Sequence, residues 1–289
     1  MEHCGDYMLS GAFMQDALAR PQGIMPNPYH TPYPSFTNEG TIQPQADARA
    51  DYDHPDGKHH LIFAGGYGAT GGVIHTHIGP FRVDQGYRKS FGKVDYVRGM
   101  LRISGYVNLF GGSATSLLVA GPDGQPIRLD DRTESYDIEF GDMRPIRSRH
   151  LISYGGNFRH NGFNVSIAPE GKNRNQGGAY AQDEIRLSER FRWILGARID
   201  KFDFMKGAVF SPRTTFLFKP APGQTFRVSY NRAYMAPTLL ANHERLVIMG
   251  QLDLGLIQPQ LAGNYFDFPV RIVGNLDLKE QSLHAYELG

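Results

Sequence analysis

The chain has 289 residues, 40% of them hydrophobic, which is enough to bury a large core or to face lipid along many short segments. Its 30 Lys and Arg balance 29 Asp and Glu, so the formal charge of +1 supplies no field for a nucleic acid or any other polyanion. A single cysteine, Cys4, excludes an internal disulfide and a Cys-based zinc or redox motif.

The opening stretch "MEHCGDYMLSGAF" lacks the basic region, long apolar run and small-residue cleavage site of an export signal. No run of about 18 apolar residues follows, which excludes helical spans and leaves membrane β-strands open. In chain order, short alternating runs bounded by Gly, Pro, Asn and Asp predict strands at Tyr7–Phe13, Leu61–Gly68, Phe91–Val97, Leu101–Phe110, Glu134–Gly141 and His150–Arg159. They continue at Gly162–Ala168, Gly178–Leu187, Arg190–Phe202, Ser211–Lys219, Gln224–Tyr234 and Ser282–Leu288. That makes about a dozen, with almost no helical periodicity, so the fold class is all-β.

The strand "RFRWILGARIDKF" places Phe191, Trp193, Leu195, Ala197 and Ile199 on one face and Arg192, Arg198 and Asp200 on the other. In "TFRVSYNR" Phe226, Val228 and Tyr230 alternate with Arg227, Ser229 and Asn231. One greasy and one wet face suit either a sandwich or a barrel in lipid. Connections favour the barrel. "SER" (Ser188–Arg190) and "PAPG" (Pro220–Gly223) are tight turns, whereas the polar Pro169–Gly178 loop and the nearly patternless Met235–Lys279 segment lie at the opposite ends of the hairpins. A transmembrane barrel sorts its links in this way.

Several stretches resemble consecutive barrel segments of the TonB-dependent outer-membrane receptors. They are "SPR" at Ser211–Arg213, "NRAYMAP" at Asn231–Pro237, "GNLDLK" at Gly274–Lys279 and the closing "YELG". Met235 departs from the Arg common at that position. The resemblance implies an antiparallel transmembrane barrel of about 22 strands around a plugged lumen. The whole chain, residues 1–289, is then expected to be a partial barrel lacking the N-terminal plug, starting internally at Met1 and stopping where another hairpin would begin. It also implies a bacterial outer-membrane location, uptake of a scarce extracellular ligand energised by the TonB–ExbB–ExbD system acting through the missing region, and contact with outer-membrane lipid and lipopolysaccharide. The ligand is a small molecule, saccharide or peptide. A soluble β-rich carbohydrate-binding module and a β-rich hydrolase are the alternatives.

Chemistry-bearing residues are sparse. His59 and His60, and His75 and His77, are possible metal pairs without a third ligand of fixed spacing, and read as ordinary strand and loop histidines. "GGYGATGG" lacks the Lys-Ser/Thr end of a phosphate loop, and Asp183 and Glu184 alternate faces, so they form no carboxylate pair. No catalytic residue, metal or cofactor is expected, and the protein is not read as an enzyme. Because loops carry recognition on such scaffolds, Asn173, Arg174, Arg245, Asn264 and Tyr265 are the candidate ligand contacts.

Overall fold

The computed structural model describes residues 43–76 and 79–289; the expected Tyr7–Phe13 strand lies outside them. Strands β1 (Gln45–Asp53), β2 (His59–Thr76), β3 (Gly79–Arg98), β4 (Leu101–Ala120), β5 (Pro126–Ile146) and β6 (His150–Val165) pair in sequence order. They continue through β7 (Arg174–Arg186), β8 (Phe191–Phe202), β9 (Ala208–Phe218) and β10 (Phe226–Met235). After β10 the chain forms helix α1 (Leu239–His243) and a separate hairpin of β11 (Arg245–Asp253) and β12 (Tyr265–Val273), then returns as β13 (Gln281–Leu288) beside β10. The result is one antiparallel 11-stranded wall with β1 and β13 at its two edges.

Cross-strand partners share a face, so the register assigns every side chain to one side of the wall. The row through Asp53, His60, Val97, Arg102, Gly141, Gly155, Tyr180 and Arg198 starts at the last residue of β1 and reaches β8 seven residues in from Phe191. That progressive stagger is the shear a sheet needs to curl into a barrel. The face carrying this row is polar. The other presents Phe63, Val94, Ile138, Phe140, Phe158, Ile199, Phe210 and Val228, all exposed. An exposed apolar band of this extent costs too much in water and is at home in lipid.

Both ends of that band are marked. Near the tight turns Phe191 stacks on Phe218 at 4.7 Å between ring centroids, Phe218 stacks on Phe226, and the Trp193 indole donates to the Thr214 hydroxyl at 2.9 Å. Aromatic rings with one polar edge suit the interface between hydrocarbon and water. At this end β3 turns into β4 through Gly99, whose positive φ of 60° a side chain would strain.

At the other end the expected contrast in loop length holds only in part. β2 joins β3 through residues 77–78 and β4 joins β5 through residues 121–125, both short. The asymmetry lies in the strands. β5 has 21 residues, roughly 70 Å of extended chain, whereas crossing hydrocarbon takes about 9–11 residues. β2 to β5 therefore stand well proud of the apolar band, while β8 to β10 do not. The expected Gly162–Ala168 strand is not separate, since residues up to Val165 continue β6, and β7 begins at Arg174, inside the stretch read as a loop.

Candidate functional site

The projecting hairpins carry an apolar patch on the lumenal face. Phe81, Val83, Ala114, Ile127 and Leu129 are buried there, and Leu246 of β11 completes the cluster, with Ile248 and Ile272 packed against it. Met235–Lys279 is thus a folded cap, not a patternless loop. Alternate residues of β11 and β12, Leu246 opposite Ile272 and Ile248 opposite Val270, form the face that closes over the inner side of the wall. Fully burying a side chain of this size contributes roughly 1.5–3 kcal/mol, so the cluster holds the hairpin against the wall although neither of its strands joins the barrel sheet.

Tyr87 closes the bottom of this cluster. Its ring stacks on Phe110 at 5.4 Å and lies against Gly112, where a Cβ would come within 2.8 Å of the ring. Its hydroxyl donates to Asp131 Oδ2 at 3.1 Å, while Asp131 Oδ1 is buried without a partner. Burial pushes the Asp131 carboxyl above its ordinary range, opposed by the Tyr87 hydrogen bond, and raises the Tyr87 hydroxyl too. An acid whose folded pKa is raised favours the folded form when protonated. Stability of the wall around this pair should therefore fall as pH rises from the unfolded toward the folded pKa of Asp131 and stay lower above it. Asp131→Asn is expected to remove this dependence and slow amide exchange of the surrounding parts of β3 to β5 at pH 7.5. An unchanged pH profile in hydrogen exchange would contradict it.

The cap is fastened at its base. Thr238 caps α1 by accepting from the Ala241 amide at 3.1 Å. Arg174, buried at 7% exposure, donates to the Pro237 carbonyl and to Asn242 Oδ1, each at 2.8 Å, with its guanidinium 3.9 Å above the Phe204 ring. Asn242 in turn donates to the Asn275 carbonyl at 2.8 Å. Gly274 lies so close that a Cβ would sit 2.5 Å from the Asn242 carbonyl carbon, so only glycine fits the crossing. The backbone N–H of Arg245 donates to the Ile167 carbonyl at 2.7 Å, and its exposed side chain meets Glu170 at 2.7 Å.

The five residues singled out from sequence therefore divide. Arg174 is the first residue of β7 and is spent on the fastening, Arg245 starts β11 beside it, and Asn173 accepts from the Phe163 amide at 3.2 Å. Asn264, which donates to the Leu261 carbonyl at 3.2 Å, and the exposed Tyr265 lie together at the far tip of the hairpin. Phe266 and Phe268, which follow on β12, stack at 6.4 Å and are both exposed, as are Leu256 and Ile257 in the link between β11 and β12. Phe266 and Phe268 were not singled out beside Tyr265, although "NYFDF" sets them two apart with Asp267 between. Met235 ends β10, exposed.

Below the cap the inner wall is charged and matched. Asp95 accepts from Ser104 at 2.5 Å and Arg102 at 3.1 Å and pairs with Lys93 at 2.9 Å; Asp137 accepts from Arg159 at 2.8 Å. A recess of about 400 Å³ opens between Lys93, Arg102, Tyr106, Glu139 and Tyr180. Of the histidines considered as metal ligands, His59 bonds the Tyr96 hydroxyl at 2.8 Å and His60 pairs with Asp53. Glu184 faces inward to Arg192 at 3.0 Å, and Asp183 faces outward.

A staggered antiparallel wall with a lipid-facing band, a charged lumen and a folded cap at one mouth defines a transmembrane barrel of the receptor type. The family model described as "TonB dependent receptor-like, beta-barrel" matches residues 9–289, and the chain belongs to that family. It is a bacterial outer-membrane protein. Among solved structures it is similar to the siderophore receptor PirA from Acinetobacter baumannii, at 15% identity and TM-score 0.61 over 86% of this chain and 40% of that one. It is similar to a variant of the ferric enterobactin receptor PfeA from Pseudomonas aeruginosa, at 12% identity and TM-score 0.63 over 86% and 40%. The FrpB iron transporter from Neisseria meningitidis aligns at 15% identity and TM-score 0.53 over 73% and 41%. The chain thus spans about 40% of the length of the receptors it matches. No curated protein matches the sequence.

Proposed function

We propose that this chain supplies part of the wall and the external cap of a receptor that captures a scarce ligand at the cell surface and imports it with energy delivered by TonB–ExbB–ExbD. The observation that carries the reading is the cap: a folded hairpin, fastened at Arg174, closes over the lumenal face at the mouth opposite the tight turns. A soluble carbohydrate-binding module has no use for the exposed apolar band, and that alternative is not favoured. The polar recess beneath the cap faces the place of a plug domain supplied by the rest of such a receptor.

The solved neighbours are named for siderophores and iron, so an iron chelate is the first ligand class to test, ahead of cobalamin, saccharides and peptides. Of the five candidate contacts, Asn264 and Tyr265 at the cap tip are assigned to the ligand, whereas Asn173, Arg174 and Arg245 hold the cap. The test is uptake of labelled ferric chelates by cells carrying the complete receptor. Uptake should require TonB and fall at least tenfold when residues 245–273 are replaced by a short Gly-Ser link, with the amount of receptor unchanged. Uptake indifferent to TonB or to the cap overturns the proposal.

A further inference from the structure

Above the apolar band, the outward face of β3 to β5 carries a pair of cations that no lumenal or cap role explains. Arg88 of β3, Gly111 of β4 and Arg132 of β5 are register partners in one row, so two arginines flank a residue with no side chain. A Cβ on Gly111 would lie 2.8 Å from the Asp131 carbonyl oxygen, so nothing larger fits between them. The Cα atoms of the arginines stand two strand spacings apart, about 9.6 Å, within which two guanidinium groups can converge on one small anion. Arg88 is exposed and has no hydrogen-bond or ion-pair partner among the described residues.

The row sits at a defined depth. On β3 the outward residues Tyr96, Val94, Gly92 and Ser90 carry no charge between Arg98 and Arg88, and on β4 Ile103, Gly105, Val107 and Leu109 repeat this. The span from Arg98 to Arg88 is about 34 Å of strand, or about 24–28 Å of height at the usual barrel tilt, which matches the apolar band of an outer-membrane barrel. Arg98 lies at the tight turn between β3 and β4, so Arg88 and Arg132 stand where hydrocarbon ends on the outer side. A cleft of about 690 Å³ runs along β4 there, with Gly111 and Leu109 in its floor, Arg88 on one side and Arg132, Glu134 and Tyr136 on the other. The acids along it are already answered: Glu134 pairs with Arg132 at 2.9 Å and accepts from the Tyr136 hydroxyl at 3.1 Å, and Asp130 pairs with Arg128 at 3.1 Å. Arg132 gives Glu134 its Nε and Nη2 and is still 75% exposed, which leaves Nη1 to donate elsewhere. From the outer mouth toward mid-membrane the cations come first, then Leu109, then Val107 and Gly105, which is the order of phosphate and acyl chain in an anionic lipid.

We propose that Arg88 and Arg132 clamp a phosphate of the outer leaflet's lipopolysaccharide. The bare backbone at Gly111 lets the phosphate approach the wall between two charged donors, and an acyl chain descends over Leu109 and Val107. The site rests on the outer-membrane location of the wall, not on the identity of the imported ligand.

Native mass spectrometry of the complete receptor in mild detergent tests it, with lipid A and the same lipid stripped of its phosphates offered together. The expected result is at least fivefold preferential retention of the phosphorylated form. Arg88→Gln should remove the preference, while Arg98→Gln, an equal loss of charge at the other end of β3, should leave it intact. Heat-modifiability of each variant checks that the barrel has formed. Equal retention of the two lipids by the parent, an unchanged preference in folded Arg88→Gln, or the same loss in Arg98→Gln overturns the site. Inorganic phosphate at the concentration of the lipid should displace none of it; displacement would make the cleft a site for a free anion and overturn the lipid assignment.

Discussion

Leu195→Arg in the complete receptor is expected to cost about 1–2 kcal/mol of folding stability in lipid vesicles, between the roughly 2–4 kcal/mol of a midplane arginine and the about 0–1 kcal/mol of an interfacial one, while Leu195→Trp is nearly neutral. Leu195 is paired with Asp183 and Thr214 on the outward face of β8, between the aromatic girdle and Ile199. A guanidinium at that position must drag water into hydrocarbon or bend toward the interface. Its neighbour Ile194, paired with Glu184 and Thr215 on the lumenal face, should tolerate Arg far better. Damage from Leu195→Arg alone would also fit a packed protein core. Leu195→Trp separates the two, because acyl chains flow around a larger apolar side chain whereas a close-packed core loses about 1–3 kcal/mol to overpacking. Comparable losses for both substitutions would mean that Leu195 packs against protein.

The second large effect is expected at Arg174. Arg174→Met keeps an unbranched apolar side chain over Phe204 but removes both hydrogen bonds, leaving the Pro237 carbonyl and Asn242 Oδ1 without their donor. Hydrogen bonds from a charged donor contribute about 1.5–3 kcal/mol each, and losing even 2 kcal/mol raises the open population roughly thirtyfold. Amides of β11 and β12 should exchange correspondingly faster, with those of β7 to β9 unaffected. Arg245→Met is the control. Its pair with Glu170 is solvent-exposed on both sides, so its loss should cost under about 1 kcal/mol. Equal protection of the cap in the two variants would show that the apolar cluster alone holds it.

Where the wall touches lipid, the sequence is easily read. Within the apolar band, β8 turns Phe191, Trp193, Leu195 and Ile199 outward and β10 turns Phe226, Val228 and Tyr230 outward, with mostly polar residues between them, because lipid and lumen enforce the alternation. β1 was missed because three of its four outward residues, Ala46, Ala48 and Ala50, are too small to signal a greasy face, and Tyr52 alone does not make a pattern. The projecting halves of β2 to β5 were missed because, beyond the hydrocarbon, only the lumenal side is packed; "GGYGATGG" belongs to β2, and Gly66 there leaves room for the Phe91 ring. The cap hid for another reason. "RLVIMG" is apolar on both faces, Pro269 sits inside β12, and what the hairpin covers lies more than a hundred residues earlier in the chain. Arg174 reads as a loop cation until Phe204 and Asn242 are brought beside it, so side-chain type alone could not separate a fastening from a ligand contact.

Sidedness tests the account most directly, because it requires the tight turns inside and the cap outside. In intact cells carrying the complete receptor, on a background in which Cys4 is replaced by Ser, Leu256→Cys at the 81%-exposed cap tip should react with an impermeant maleimide. Glu189→Cys, in the turn between β7 and β8, should react only after the outer membrane is breached. Labelling of Glu189→Cys and protection of Leu256→Cys in intact cells would contradict the topology, and equal labelling of both in a soluble fraction would contradict the barrel.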